Sequence, residues 1–403
     1  VNEEHSRAGE LPPHDTTSVV RLRELAALFL KLGTISFGGP AAHIALMEGE
    51  VVRKRQWVTQ QQFLDMLGAA NLIPGPSSTE MAINVGFARA GWAGLCVAGA
   101  SFILPAALIT LAFAWAYVRF GALTEAVSVL GGIKAVVIAV IATAIFRLGK
   151  TAVRDLGLAA LGGLSLAAFF LDLNPLVILL GGGILGMVVR RAGSVRAAGA
   201  MLLLPMPRRI PWYSLGLATV ASGAIVPVVA RPSIYRIGLF FLRVGAVIYG
   251  GGYVLLAFLE QGLVQQHAWL THRQLLDAVA IGQFTPGPVF STATFIGYML
   301  GGWPGAAVAT VGIFLPSFFF VGLLAPVLFR LRQSAWMAAF LDSVNVCAVA
   351  LMAGVTLRLA ADALRGWPTW AIAATTLGVL LRWKVNPAWV VLGGGVAGFF
   401  LIR

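Results

Sequence analysis

Phe29-Leu30-Lys31-Leu32-Gly33 returns later in the chain as Phe241-Leu242-Arg243-Val244-Gly245, at an offset of 212 residues. Without a gap, the same offset pairs Gly38-Gly39 with Gly250-Gly251, Glu48 with Glu260, Trp57 with Trp269, Thr59 with Thr271 and Asp65 with Asp277. It continues to Pro74-Gly75-Pro76 and Pro286-Gly287-Pro288, after which a one-residue deletion shifts the offset to 211. Gly91-Trp92, Pro105 and Arg147 then pair with Gly302-Trp303, Pro316 and Arg358, and Asn174-Pro175 matches Asn386-Pro387 at 212 again. Two apolar segments alike only by chance would not keep charged residues and Pro-Gly-Pro in register, so the chain is a duplication. Its parts are a tail over 1–18, a first repeat over 19–191, a linker over 192–237 and a second repeat over 238–403.

Composition sets the medium. Of the 403 residues, 59% are hydrophobic and 11% charged, against about 25% charged in soluble domains. Stretches such as 93–117 approach or exceed the ~20 apolar residues that cross a bilayer. The expected fold is therefore all-α, a polytopic transmembrane helical bundle of two homologous, inverted repeats with broken or re-entrant helices. The net charge of +13 falls in short clusters between apolar segments, a positive-inside pattern rather than a nucleic-acid face. Residues 1–17 lack the apolar core of a signal peptide and read as a disordered cytoplasmic tail. Cys96 and Cys347 sit unmatched in apolar segments and read as small buried hydrophobes. No cofactor and no metal site is expected.

Each half offers six apolar elements, in the first half 20–46, 63–88, 92–118, 131–146, 156–171 and 175–189. The linker adds a run over 212–230 long enough to cross once and invert the second half. If every element spanned, Arg53-Lys54-Arg55 would lie opposite the amino terminus. If the first two elements of each half turn back at glycine and proline, that cluster returns to the cytoplasm with Arg147, Lys150, Arg154 and Arg190, as charge bias favours.

The breaks are the candidate site. Pro-Gly-Pro cannot continue a helix, and orphaned backbone groups in hydrocarbon must be satisfied by protein or by a cavity. Matching breaks in two inverted halves point to a transporter binding site at their meeting, although kinks made only for packing are the rival reading. Gly38, Gly39, Gly250 and Gly251 provide a second break per half, with amides free to face an anion or small residues that serve close packing. Lys31 and Arg243, about two turns earlier and equivalent, suit a dianion, or else snorkel to an interface. The surrounding donors are Asn71, Ser77, Ser78 and Thr79, and then Gln283, Thr285, Ser291, Thr292 and Thr294. The expected substrate site comprises Lys31, Gly38, Gly39, Asn71, Pro74, Gly75, Pro76, Ser77, Ser78, Arg243, Gly250, Gly251, Gln283, Thr285, Pro286, Gly287, Pro288 and Ser291. Glu80, whose equivalent is Thr292, is a candidate coupling residue. Lys134, whose equivalent is Asn345, is a candidate cavity wall. Glu48, Asp65, Glu260 and Asp277 suit gate or hinge ion pairs, because carboxylates repel an anion.

At these residues the chain resembles the chromate transporter (CHR) superfamily. The resemblance rests on Phe29 to Gly33 followed by Ser36-Phe37-Gly38-Gly39-Pro40, on Trp57 to Asp65 leading to Pro74-Gly75-Pro76, and on their return from Phe241. It covers nearly the whole chain after the tail. It implies chromate efflux across a bacterial inner membrane, sulfate as a related oxyanion, and halves of opposite orientation. Gly252 in place of Pro40 and Thr285 in place of Ile73 depart from symmetry. The implied partners are a chromate- or sulfate-like oxyanion, membrane lipid and a second copy of the chain as a homodimer, with no nucleic acid. The rival transport reading is a proton-coupled sulfate-type importer using Glu80. An intramembrane enzyme lacks support, since His43 alone among the histidines is embedded in an apolar element.

Overall fold

A computed structural model describes residues 18–37, 39–70, 73–121, 124–192, 232–249, 254–331, 335–383, 385 and 387–402. The tail, the linker run over 212–230 and the candidates Gly38, Asn71, Gly250 and Gly251 lie outside the described residues. The first repeat contains α1 (Ser18–Ile35), α2 (Pro40–Glu48), α3 (Gln60–Ala70), α4 (Ser77–Phe120), α5 (Thr124–Ala152), α6 (Leu156–Phe170) and α7 (Pro175–Ala192). The second contains α8 (Ile234–Val247), α9 (Leu255–Leu259), α10 (His272–Phe284), α11 (Thr292–Leu331), α12 (Ala335–Ala363), α13 (Trp367–Arg382) and α14 (Pro387–Leu401). Each helix of the first half thus has its counterpart seven places on. A π-helical stretch extends α2 over Gly49–Lys54 and α9 over Glu260–Gln266.

Local chemistry starts and stops these elements the same way in both halves. Thr59 and Gln62 cap α3 reciprocally, each side chain meeting the other's backbone N–H, and Thr271 and Gln274 repeat the device on α10. The side chain of Asp155 accepts from the amide of Leu158 to cap α6. Within α4 and α11 the chain doubles back at Ala90-Gly91 and Gly301-Gly302. Gly91 and Gly302 there have φ of 58° and 62°, which glycine adopts without cost. Past each turn the backbones nearly touch, Gly86 against Gly94 and Gly297 against Gly305, where any β-carbon would collide with a carbonyl.

The leading elements are re-entrant. Lys31 Nζ lies 3.2 Å from Glu50 Oε1 across 19 residues, so α2 runs back beside α1; a continuous helix would separate them by roughly 28 Å. Arg89 pairs with Glu24 at 3.2 Å, and Arg55 and Arg89 both lie 5.2 Å from the centre of the Trp57 ring. Residues 24, 55–57 and 89 therefore share one end of the bundle, face A. Two hairpins, α1–α2 and α3 with the short arm of α4, enter and leave there. That arm, 77–89, is roughly 20 Å long, too short for a ~30 Å hydrocarbon core.

The repeats are inverted. Trp92 packs on Gly322 and Gly99 on Phe318, so the long arms of α4 and α11 run antiparallel. The last helix of each half crosses to the other half. In the contact of α14 with α5, Gly394 and Gly398 meet Gly132 backbone to backbone; in that of α7 with α12, Gly182 and Gly186 meet Cys347 and Ser343. The hairpins of the second half open at the opposite end, face B, where Phe240, His267 and Trp269 cluster. Cys347 is buried, as its sequence position implies, but Cys96 is exposed on the outer side of α4. Four helices among the described residues are long and apolar enough to cross a membrane, in α4, α5, α11 and α12.

Candidate functional site

Both Pro-Gly-Pro turns are buried at the contact between the repeats. The backbone amide of Gly75 donates to the carbonyl of Ile248 at 2.7 Å, and that of Gly287 donates to the carbonyl of Ser36 at 2.8 Å. Ser36 and Ile248 are themselves equivalent at the 212-residue offset, each just past the end of its repeat's first helix. Each broken segment therefore satisfies a carbonyl released where the other half unwinds, which is how irregular backbone can persist at membrane depth. Gly75 and Gly287 have φ of 145° and 87°, so the turns require glycine on conformational grounds. Space requires it as well: a β-carbon on Gly75 would strike Glu80 Oε1 and Ser317 Oγ, and one on Gly287 would strike Ala106.

Around this exchange lies a dense group of buried polar atoms. Ser36 Oγ, Thr79 Oγ1, both carboxyl oxygens of Glu80 and Ser317 Oγ have no hydrogen-bond partner, and His43 Nδ1 on α2 has none either. Further along, Thr110 Oγ1 donates to Ser291 Oγ at 3.1 Å, joining α4 to the segment after the second break. Thr285 and Thr292 turn their hydroxyls to the carbonyls of Ile281 and Val289, and Thr294 meets Thr310 at 2.7 Å. Ser78 is buried and Ser77 half-buried. Gln283 and Thr292 border a cavity of about 10 Å³, room for one water at most. A groove of about 440 Å³ lined by Phe113, Ile133, Phe284, Val391 and Phe400 offers an oxyanion no donor.

The candidate cations divide. Lys31 is not in the buried centre: its side chain is 53% exposed and paired with Glu50, together with Lys54. The hydrogen bond from Lys54, with lesser help from Lys31, holds the Glu50 carboxyl below the usual range. Arg243 is likewise exposed. Lys134 is the buried one. Its Nζ lies 2.8 Å from Asp277 Oδ1, with the side chains 8% and 3% exposed, and Tyr117 O–H donates to Asp277 Oδ2 at 2.8 Å. This triad ties α4 and α5 of the first half to α10 of the second, between face B and the breaks.

The remaining carboxylates differ in setting. Glu48 pairs with Arg53 at 3.0 Å, and Asp65, half-buried, accepts from Gln61 at 3.2 Å. Glu260 is fully buried, accepts from Gln265 at 2.7 Å and lies 3.8 Å from Arg358. Arg358 in turn bonds Asp172 at 2.7 Å. The halves are thus unequal. In α10 every residue from Leu275 to Gly282 is buried, whereas in α3 only Phe63, Ala69 and Ala70 are. Sequence reasoning did not find Ser317 or Tyr117. Their signal lay in broken symmetry, since Ser317 stands opposite Ala106 and Tyr117 opposite Leu328 at the 211 offset.

The sequence profile described as chromate transporter matches residues 23–187 and again 235–399, one match per repeat. A chromate transport protein of Cupriavidus metallidurans is 34% identical over 95% of this chain and 94% of its own length. A probable chromate transport protein of Synechococcus elongatus is 32% identical over 91% of each chain, and a chromate transport protein of Pseudomonas aeruginosa is 29% identical over 100% of this chain and 98% of its own. No solved structure matches the chain. With both repeats matched and relatives above 30% identity along nearly their full length, the chain belongs to the chromate transporter family.

Proposed function

We propose that the chain carries a tetrahedral oxyanion of the chromate class out of the bacterial cytoplasm, by alternating access between its inverted repeats. The observation that carries this reading is the reciprocal pair of hydrogen bonds, Gly75 to Ile248 and Gly287 to Ser36. Two unwound segments meet where the halves cross, each bond can be exchanged for one to an anion, and the amides and hydroxyls around them are donors. Lys31 and Arg243, exposed and one per repeat, act at the two entrances, where they raise the local anion concentration rather than hold the anion. Face A carries Arg53, Lys54, Arg55, Arg89, Lys150 and Arg154, which supports its assignment to the cytoplasm by the positive-inside rule. The Lys134–Asp277–Tyr117 triad then closes the route toward face B, with the less tightly packed α3 on the cytoplasmic side.

Direction follows from charge. An anion leaving an interior-negative cell gains about 2.3 kcal/mol per 100 mV for each net negative charge carried out, so export needs no second energy source. The test is chromate entry into inside-out vesicles from cells expressing the chain, with an imposed interior-positive potential and empty-vector vesicles as the control. Potential-dependent accumulation is expected, with sulfate competing. Equal chromate content in both vesicle sets sinks the reading.

A further inference from the structure

An ionised Glu80 would repel an anion, yet it occupies the centre of the site. It sits one turn past the first Pro-Gly-Pro, fully buried, with neither carboxyl oxygen hydrogen-bonded. Both Oε1 and Ser317 Oγ crowd the space beside Gly75 Cα, and Ser317 Oγ is also unpartnered. Tyr249, on the unwound end of α8, is close enough to feel the Glu80 charge, His43 on α2 belongs to the same buried group, and no Lys or Arg among the described residues acts on Glu80. In the second repeat Ser291 stands at the same position under the 211 offset and Thr292 under the 212 offset, neither of them acidic, so the device occurs once. An ionised carboxylate left without a donor in such a place costs many kcal/mol, and neutralisation is the usual escape.

We propose that Glu80 is a proton-carrying site that couples proton movement to oxyanion movement, one proton with each dianion. The proposal rests on the oxyanion-transport reading above. A dianion brought beside Gly75 meets repulsion from an ionised Glu80 but a hydrogen-bond donor in the neutral acid, so the anion enters only with the proton in place. When the site opens on the far side, the anion and the proton leave together, and the species moved carries a net charge of −1 rather than −2.

The charge moved is measurable in proteoliposomes holding a tenfold chromate gradient at equal pH. The reversal potential is about 59 mV for one net charge and about 30 mV for two. The wild type is expected near the larger value, moving by about 59 mV more for each pH unit imposed across the membrane. Glu80→Gln, a permanently neutral mimic, is expected to retain chromate exchange at equal concentrations while its net flux stops or reverses near 30 mV without response to pH. If glutamine is not accommodated, Glu80→Thr installs a hydroxyl residue, the type the second repeat carries at Ser291 and Thr292. A wild-type reversal near 30 mV that ignores pH overturns the proposal, as does a variant that keeps the pH response, since the proton then rides on the anion. Loss of exchange in a folded variant also overturns it. Absence of any chromate flux in the wild type would instead count against the transport reading itself.

Discussion

Replacing Lys134 with Met leaves the Asp277 carboxylate buried without its cation and loosens the contact of α10 with α5. The pair is 2.8 Å long and its side chains are 8% and 3% exposed, so solvent screens it little. Removing one partner of such a pair costs about 3–5 kcal/mol. If the triad holds only while face B is closed, that cost falls on the closed state alone. At about 1.4 kcal/mol per decade the balance then moves by a factor of roughly 10² to 4 × 10³ toward a state open at face B. Leu276, adjacent to Asp277 and buried, reports the change once replaced by Cys in a chain carrying Cys96→Ala and Cys347→Ala. A membrane-impermeant maleimide added at face B should label Leu276→Cys slowly by itself and at least a hundredfold faster with Lys134→Met. The double replacement Lys134→Met with Asp277→Leu removes both charges and should return most of the protection. Equal labelling rates in the three proteins, or faster labelling in the double replacement than in the single, would refute the assignment of this triad as a closure.

Gly75→Ala should abolish chromate flux and lower the thermal midpoint, because its β-carbon meets Glu80 and Ser317; Gly181→Ala, with open space around it, should do neither. Lys31→Ala should change stability by no more than ~1 kcal/mol, as expected for an exposed ion pair, and should slow chromate entry mainly at low salt. An unchanged low-salt rate would remove Lys31 from the entrance. His267, exposed on one side, stacks on Trp269 at 4.6 Å, and this partial desolvation, aided by the charges of Arg236 and Arg243, holds its pKa below 6.5. The unfolded chain therefore takes up a proton that the folded chain refuses, so stability falls as pH drops from about 6.5 through the folded value and then levels. Thermal melts in detergent between pH 7.5 and 5 should show this loss in the wild type and a smaller one in His267→Phe.

The duplication, the helical class and the position of the breaks were legible because proline, glycine and charge keep register in sequence. The re-entrant path was legible only indirectly, through the side on which Arg53-Lys54-Arg55 had to lie; the Lys31–Glu50 and Glu24–Arg89 pairs resolve it. The site was less legible. Lys31 and Arg243 stand out in an apolar run, but a sequence gives no helix azimuth inside a hairpin, and these two face outward. Lys134 was expected at a cavity wall, but its pairing with Asp277 joins different halves over 143 positions, which no local pattern encodes. Ser317 was hidden because a serine in a membrane helix is ordinary until its neighbour is known to be an unpartnered carboxyl.

The exchange of terminal helices also fixes an order of biogenesis. The groove of α5 that receives α14 is synthesised long before residues 387–401 emerge, and α7 likewise waits in the lipid for α12. The first half thus has no finished form of its own during translation. It must persist as a partly unpaired intermediate until residues 387–401 have been made, which makes α14 a checkpoint for the entire molecule.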